Sequence, residues 1–151
     1  MKLGILSDTH GILRKELKEE LNTCDYIIHA GDFGTEKCYE ELKALGVPLY
    51  MVRGNCDYGH WASCLPETLA FPIGGRIFYL IHDLNKISYI ADEPDVIVFG
   101  HTHQQMCYMK RGCMYLNPGS AGRPHGNGGA SMAVIDMIGA DIKCRFIELS
   151  K

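Results

Sequence analysis

Seven side chains that could bind metal ions recur along this chain, each close to the end of a short apolar run. They comprise two aspartates, one asparagine and four histidines, with no sulfur in the set. Oxygen and imidazole donors suit borderline divalent ions such as Mn2+, Fe2+, Co2+, Ni2+ or Zn2+ better than Ca2+. One tetrahedral ion uses fewer than seven ligands, whereas two ions that share a bridging carboxylate would use all seven. We therefore expect a dinuclear centre formed by Asp8, His10, Asp32, Asn55, His82, His101 and His103.

The apolar runs are what must position these ligands, and their length and composition are typical of buried strands. If the runs form one sheet, the polar residues collect at the carboxyl ends of its strands, where open α/β sheets bind ligands. In Asp8-Thr9-His10 and in His101-Thr102-His103 the ligands are two residues apart, so an extended backbone would point both to the same side. The runs are 3–6, 26–28, 49–52, 78–81 and 96–99.

The wider pattern predicts an α/β fold in which two mixed β-sheets pack as a sandwich flanked by helices. Leucines at every fourth position indicate an amphipathic helix between Gly11 and Asn22. Thr35 can cap a second helix that runs to Leu45. The amino-terminal half is then βαβαβ, which favours parallel strands, and Gly74-Gly75 is typical of a two-residue hairpin turn. The later strands are expected at 69–73, 76–80, 105–109, 113–116, 132–136 and 142–148.

Composition limits the classes of partner. The 151 residues predict one domain, 1–151, that is large enough to bury its own core. A net charge of -3 without a dense Lys/Arg run argues against a stable complex with duplex nucleic acid. Seven cysteines, an odd number, argue against a disulfide framework. We see no signal peptide and no membrane span, so we expect a cytoplasmic protein with free thiols and no membrane partner. The sequence leaves the oligomeric state open, a homo-oligomer included.

The motifs Asp-x-His, Gly-Asp, Gly-Asn, a lone His and Gly-His-x-His, in this order, resemble those of the calcineurin-like metallophosphoesterases. The chain length, Gly54-Asn55-Cys56-Asp57 and Asn117-Pro118-Gly119-Ser120 narrow the resemblance to the small YfcE-like phosphodiesterases. The resemblance implies that one ion is held by Asp8, His10, Asp32 and His103, and the other by Asp32, Asn55, His82 and His101. It also implies that Asp32 bridges the ions and that a hydroxide between them is the nucleophile.

By this resemblance the chain is an enzyme, a metal-dependent phosphoric diester hydrolase with Mn2+ as the expected ion. Small or activated phosphodiesters, nucleotides among them, are the implied substrates. Asp32, Asn55, His82 and Cys56 are the implied catalytic residues. Most relatives have His at position 56, where it assists the leaving oxygen, and a neutral thiol is a poorer proton donor than imidazolium. Asp83 also departs from the family pattern, which has Gly after the lone His.

Several alternatives remain open. Taken singly, Asp8 could cap a helix, Asn55 could be a turn residue and His82 could be an ordinary histidine at a strand end. We expect His29 to pack or hydrogen-bond behind the ligands, and His60 to be an exposed loop residue unless it supports the site. For the whole chain, the alternatives are a non-catalytic protein-interaction scaffold of the same fold, like a retromer subunit, and a phosphomonoesterase or nuclease of the same superfamily.

Overall fold

The computed structural model describes residues 1–88, 90, 93–123 and 129–149. A 3-10 turn at Leu84–Lys86 follows the fifth strand. The helices and strands, in chain order, are β1 (Lys2–Leu6), α1 (Lys15–Leu21), β2 (Tyr26–His29), α2 (Glu36–Lys43), β3 (Leu49–Met51), α3 (His60–Ser63), β4 (Thr68–Ile73), β5 (Arg76–Ile81), β6 (Val96–Val98), β7 (Gln105–Lys110), β8 (Cys113–Pro118), β9 (Ser131–Ile138) and β10 (Asp141–Glu148).

The strands form two mixed sheets of five strands each, with the orders β10-β9-β1-β2-β3 and β4-β5-β6-β8-β7. In the first sheet β1, β2 and β3 are parallel, and β9 runs antiparallel to β1 and β10. In the second sheet β5, β6 and β8 are parallel, with β4 and β7 antiparallel at its edges. The predicted pair of mixed sheets is confirmed. The five apolar runs do not share one sheet, because β5 and β6 belong to the second.

Apolar side chains from alternate positions of the strands fill the space between the sheets. Leu3 and Ile5 of β1 point into this core, whereas Leu6 faces the helices on the other side of the first sheet. Tyr50 stacks on Phe71 with ring centroids 3.9 Å apart, which joins β3 of the first sheet to β4 of the second. This period-two alternation is what a sheet with both faces covered requires.

The helices α1 and α2 cover the outer face of the first sheet through Leu17, Leu21 and Leu42, which are fully buried. The second helix begins as predicted, because the Thr35 side chain accepts a hydrogen bond from the backbone N–H of Cys38. On the outer face of the second sheet, the described residues include a 3-10 turn but no α-helix. No helix in the described part of the chain is long and apolar enough to cross a bilayer.

The first helix is shorter than predicted, since it begins at Lys15 rather than near Gly11. The preceding residues form a loop that is bonded to the neighbouring strand connection: Gly11 donates its N–H to the carbonyl of Phe33 over 2.6 Å. The helix N-cap is Arg14. Asp8 therefore does not cap this helix. The segment from Asp8 to Gly11 forms instead the loop that positions side chains at the end of β1.

Candidate metal centre

All seven predicted ligands lie at the edge where the strands of both sheets end. Asp8 and His10 follow β1, Asp32 follows β2, and the others come after β3, β5 and β6. Backbone hydrogen bonds join these connections: Asp8 donates its N–H to Gly31 over 2.9 Å, and Gly100 donates to His82 over 3.0 Å. The two-sheet arrangement thus brings together the residues that a single sheet was expected to collect.

Five of the seven predicted ligands have a left-handed backbone. Their φ angles are 55° for Asp8, 46° for His10, 59° for Asp32, 73° for His101 and 63° for His103. Arg111 is the remaining non-glycine residue with positive φ in the described part of the chain. This conformation costs roughly 1–2 kcal/mol per residue, and such strain is concentrated at functional sites. The expectation that each Asp-x-His or His-x-His pair is extended is therefore wrong.

The first group of donors surrounds Asp8, which is fully buried. The Nε2 atoms of His103 and His10 lie 3.2 Å and 3.6 Å from Asp8 Oδ1 and 3.3 Å from each other. The second carboxylate oxygen of Asp8, Oδ2, accepts hydrogen bonds from the Ser7 hydroxyl over 2.6 Å and from the backbone N–H of His101 over 3.1 Å. The carboxylate is thus fixed through Oδ2, with Oδ1 turned toward the imidazoles.

The second group of donors consists of His82, His101 and Asn55. His82 Nδ1 donates to the carbonyl of Ala30 over 2.7 Å, which directs Nε2 toward the carboxylates. His101 Nδ1 lies 3.1 Å from Asn55 Oδ1. His101 and His103 therefore belong to different groups, because the left-handed turn between β6 and β7 sends their side chains apart. Asp83 lies beside this group, with Oδ2 3.9 Å from His101 Nε2.

Asp32 lies between the two groups. Its Oδ2 is 3.2 Å from His82 Nε2 and 3.7 Å from His10 Nε2. Its Oδ1 accepts a hydrogen bond from the backbone N–H of Cys56 over 2.7 Å. One oxygen is thereby fixed by the backbone, and the other faces donors of both groups. This is the position that a bridging carboxylate requires.

Two buried polar atoms at the centre of the cluster, Asp8 Oδ1 and His82 Nε2, have no hydrogen-bond partner among the described residues. They lie 3.9 Å apart. In the neutral imidazole of His82 the proton is on Nδ1, so Nε2 presents a lone pair toward two carboxylates. A lone pair and carboxylates directed at one another are repulsive unless a positive charge lies between them. That charge is either a metal ion or a proton on His82, because burial lowers the pKa of His82 but Asp32 and Asp8 outweigh burial and raise it. The residues therefore fit divalent ions. Donor atoms within 4.8 Å of one another occur in two sets of predicted ligands, Asp8-His10-His103 and Asp8-Asp32-His82, and in a third set that includes Cys56.

The ionisation of the cluster agrees with this electrostatic picture. Burial raises the pKa of Asp8, but the imidazoles of His10, His103 and His82 outweigh that effect and hold it well below its usual range. Burial also raises the pKa of Asp32, but His82 and the backbone N–H of Cys56 together bring it below its usual value. Conversely, contact with Asp8 raises the pKa of His103. The two carboxylates are thus kept ionised and ready to bind a cation.

Asp57 supports the cluster from behind, a role that the sequence did not indicate. It is buried, and its carboxylate accepts hydrogen bonds from the backbone N–H groups of Asp32 and Gly54 over 2.9 Å and of Gly34 over 3.1 Å. Burial raises the pKa of Asp57 against the opposing effect of these hydrogen bonds. One side chain thereby holds together the loops that carry Asp32 and Asn55. The feature of the sequence that could have pointed to this role is the aspartate two residues after the Gly54-Asn55 motif.

The Asn117-Pro118-Gly119-Ser120 segment also supports the cluster. Asn117 Nδ2 donates to the carbonyl of Gly100 and to the Thr102 hydroxyl, each over 3.1 Å. The Ser120 hydroxyl donates to the carbonyl of Asp8 over 2.9 Å. By itself, Asn-Pro-Gly-Ser is typical of a tight turn. The structure shows that the segment holds the loops on either side of the first donor group.

Two of the three histidines outside the predicted ligand set, His29 and His60, lie as expected, and the third, His125, lies outside the described residues. His29 is fully buried at the end of β2, stacked on Phe33 at 3.8 Å between ring centroids. Its Nδ1 accepts the N–H of Gly31 over 3.0 Å, and its Nε2 lies 3.1 Å from the Thr9 hydroxyl. Burial lowers the pKa of His29 to about 3, so the ring is neutral. His60 is exposed at the start of α3.

The glycines that precede two candidate ligands are required by close packing. A Cβ at Gly54 would overlap the carboxylate of Asp32, and a Cβ at Gly100 would overlap Ser7 and the carboxylate of Asp8. Any side chain at either position would push an aspartate out of the cluster. The Gly-Asn and Gly-His motifs therefore have a steric reason as well as a chemical one.

Two openings give access to the donors. One is a depression of about 400 Å3, and Cys56 and Arg123 lie on its wall together with His10, Asp32 and His103. The other is a cleft of about 170 Å3 on the side of Asn55 and His101, lined also by Arg53, Ile81, Asp83 and Lys86. Small groups can therefore reach the cluster from both sides.

Comparison with known proteins identifies the family. Residues 1–139 match the calcineurin-like phosphoesterase superfamily domain. The chain is 31% identical to the probable metallophosphoesterase YsnB of Bacillus subtilis, covering 98% of this chain and 91% of YsnB. It is 26% identical to a phosphodiesterase of Methanocaldococcus jannaschii, covering 79% of this chain and 83% of that protein.

Solved structures share the fold at lower identity. An archaeal phosphodiesterase superposes with a TM-score of 0.81 at 22% identity, covering 99% of this chain and 100% of that one. Vps29 of Chaetomium thermophilum gives 0.81 at 18% identity, with 100% and 92% covered. The phosphoesterase YfcE of E. coli gives 0.71 at 23% identity, with 90% and 88% covered. The resemblance drawn from the motifs is confirmed: this chain belongs to the calcineurin-like phosphoesterase superfamily.

Proposed function

We propose that this protein is a metal-dependent phosphodiesterase that hydrolyses small or activated phosphodiesters at a dinuclear centre. The observation that carries the proposal is the pair of buried, unpartnered atoms, Asp8 Oδ1 and His82 Nε2, at the middle of the donor cluster. A buried polar atom without a partner is costly, so a cluster that keeps two of them side by side is best explained by cations.

The donors divide into two ion positions. The first position is Asp8, His10, Asp32 and His103, and the second position is Asp32, Asn55, His82 and His101. When bound, two divalent ions supply an activated water and neutralise the charge that develops at phosphorus. Mn2+ suits the mixture of carboxylate and imidazole donors better than Mg2+, which resists dehydration.

The protein's own groups explain the expected preference for easy leaving groups. His82 is held by the carbonyl of Ala30, and Asp32 by the N–H of Cys56, so the phosphoryl site is fixed before substrate binds. Cys56 lies on the wall of the depression where a leaving oxygen would depart. Burial, followed by the charge of Asp32, raises the pKa of the Cys56 thiol, which makes it a weak proton donor. Esters that depart without protonation should therefore be the better substrates.

The openings favour small substrates. The cleft beside Asn55 and His101 measures about 170 Å3 and the depression beside Cys56 about 400 Å3, which is below or near the lower end of the roughly 300–1,000 Å3 range of ligand pockets. A phosphodiester with compact esterifying groups, such as a nucleotide ester, fits these openings better than a polymer does. Relatives described as phosphodiesterases support the same substrate class.

A second candidate function is a non-catalytic scaffold, which the fold similarity to Vps29 favours. The two functions make different demands on the donor cluster. A scaffold needs the surface of the fold, whereas a hydrolase needs the donors and the strained loops that carry them. The retention of all seven donors in this chain supports hydrolysis.

The test is a substrate screen on purified protein that has been stripped of metal by a chelator. The apoprotein is supplied with Mn2+, Mg2+ or Zn2+ and assayed on nitrophenyl diesters, nitrophenyl monoesters and cyclic nucleotides. We expect no hydrolysis without added metal, and recovery with Mn2+ that exceeds recovery with Mg2+. Full activity after rigorous chelation, or a preference for monoesters over diesters, would contradict the proposal. A folded protein that binds Mn2+ without hydrolysing any ester would favour the scaffold.

A further inference from the structure

Cys56 places a sulfur atom beside two of the candidate ligands. The donor atoms of His10, Asp32 and Cys56 lie within 4.8 Å of one another. Cys56 is partly exposed on the wall of the depression, and its N–H is bonded to Asp32 Oδ1 over 2.7 Å. The thiol is thereby held next to a histidine and a carboxylate that already belong to the first ion position.

The distances suit a shared ion after small side-chain movements. In zinc sites sulfur lies about 2.3 Å from the ion, and nitrogen or oxygen about 2.0–2.2 Å. Tetrahedral donors at these lengths are about 3.5 Å apart. His10 Nε2 and Asp32 Oδ2 are already 3.7 Å apart, so the sulfur has to approach them by about an ångström at most. Rotation of the Cys56 and His10 side chains can supply that approach, while Asp32 stays fixed by its hydrogen bond.

The identity of the ion decides whether the sulfur takes part. Thiolates are soft ligands that favour Zn2+ and Cd2+, whereas Mn2+ and Mg2+ favour oxygen. We propose that a thiophilic ion at His10 and Asp32 recruits the Cys56 sulfur as an additional ligand, and that Mn2+ leaves this thiol free. The sulfur–metal bond forms as the thiol proton passes to solvent water, with no change of oxidation state.

This inference rests on the proposed metal centre and gives Cys56 a second role. With Mn2+ bound, the thiol remains on the wall where the leaving group departs. With Zn2+ or Cd2+ bound, the sulfur is withdrawn to the ion and a coordination position for substrate is filled. The replacement of the family's usual His by Cys thus makes the function of the centre depend on the metal that occupies it.

The test measures sulfur ligation directly by ultraviolet absorption. Apoprotein is titrated with Cd2+, and the sulfur-to-metal charge-transfer band is followed in wild type, Cys56→Ser and Cys64→Ser. Cys64 is an exposed cysteine outside the cluster and serves as the matched control. We expect Cys56→Ser to lose a component of the band and to bind Cd2+ about tenfold more weakly, which corresponds to about 1.4 kcal/mol. Its Mn2+ affinity should be unchanged, and Cys64→Ser should match wild type.

A second variant separates Cys56 from the other thiols of the chain. His10→Ala should weaken the same component of the Cd2+ band, because the ion loses a ligand that it shares with Cys56. Equal Cd2+ spectra and affinities in wild type and Cys56→Ser would overturn the inference, as would a Mn2+ affinity that falls as far as the Cd2+ affinity. A wild type that shows the Cys56-dependent band but no Mn2+-dependent hydrolysis would support the sulfur ligand and contradict the proposed function.

Discussion

The two proposed ion positions differ in how deeply their donors are buried and how firmly they are held. In the first position Asp8 is fully buried and the side chain of His103 is 10% exposed. In the second position the side chain of His101 is 42% exposed, and Asn55 also lies at the surface. The first position is therefore preformed by the fold, whereas the second is preformed at His82, whose side chain is 6% exposed, and can adjust at His101 and Asn55. The contrast indicates a tightly held ion beside a more weakly held one that faces the substrate cleft.

The largest expected effect comes from the residue that the two positions share. Asp32→Asn removes the charge that bridges them, so both ions should be weakened together. Because changes behind a metal ligand already cost about 10- to 100-fold, we expect the loss in kcat/KM with Mn2+ to exceed about a hundredfold. His29→Gln, a buried neighbour outside the donor set, is the control and should lose far less. Two tightly bound ions at full activity in Asp32→Asn would show that Asp32 is not the bridge.

Replacing one histidine in each position tests the contrast itself. Calorimetric titration of wild-type apoprotein with Mn2+ should resolve a tight and a weak binding event. His10→Ala should weaken the tight event by about tenfold or more, and His101→Ala the weak event by a similar factor. Each of these two variants removes one imidazole, His10→Ala from the first position and His101→Ala from the adjustable part of the second. If both variants weakened the same event, the division into two positions would be wrong.

A smaller effect is expected at Cys56, which lies between the positions and the departing group. Cys56→His supplies imidazolium as a proton donor, so an alkyl ester should gain more than a nitrophenyl diester, whose leaving group is already stable. We expect a gain of about tenfold in kcat/KM for the unactivated ester, which corresponds to about 1.4 kcal/mol of barrier. Both substrates are compared at fixed Mn2+ with metal content measured. Equal changes for the two esters would show that Cys56 does not limit departure of the leaving group.

Behind the centre, at Asp57, the expected effect is on stability and metal binding rather than on the chemical step. The Asp57 carboxylate accepts hydrogen bonds from three backbone N–H groups. In Asp57→Asn the side-chain NH2 must face one of these N–H groups, which is then left without an acceptor. An unsatisfied buried donor costs about 1–3 kcal/mol. The melting temperature should therefore fall by about 2–12 °C, with both Mn2+ binding events weakened alike, since Asp57 supports the loops of both positions. A stable variant in which only one event changes would limit its support to one loop.

The sequence predicted the positions of the strands along the chain well, because alternation and apolar runs are local properties that survive in any tertiary context. The hairpin around Gly74-Gly75 appears at the expected residues, and the cap at Thr35 starts α2. The start of α1 was predicted too early. The periodicity of leucines extends into a segment that is held by hydrogen bonds to Phe33, far away in the sequence. A tertiary contact there overrides the local helical pattern.

The candidate site shows the same division between what is local and what is not. The chemistry of the donors could be recognised from the motifs alone, because carboxylate, amide and imidazole are properties of the residues themselves. The supporting roles of Asp57 and Asn117 could not be recognised, since their partners come from loops that are distant in the sequence. The assignment of neighbouring histidines to one side was wrong for the same reason, because only the folded loop sets their backbone angles.

The sequence by itself determined which elements form and which donors stand at their ends, and these were enough to indicate a metal-dependent phosphoesterase. Only the tertiary structure decided that two sheets contribute to one edge, that the ligands adopt left-handed backbones, and that two buried polar atoms lie together without partners. The physical reason is that strand formation depends on neighbours along the chain. The geometry of the site depends instead on packing between sheets, whose burial offsets the strain in the loops that carry the donors.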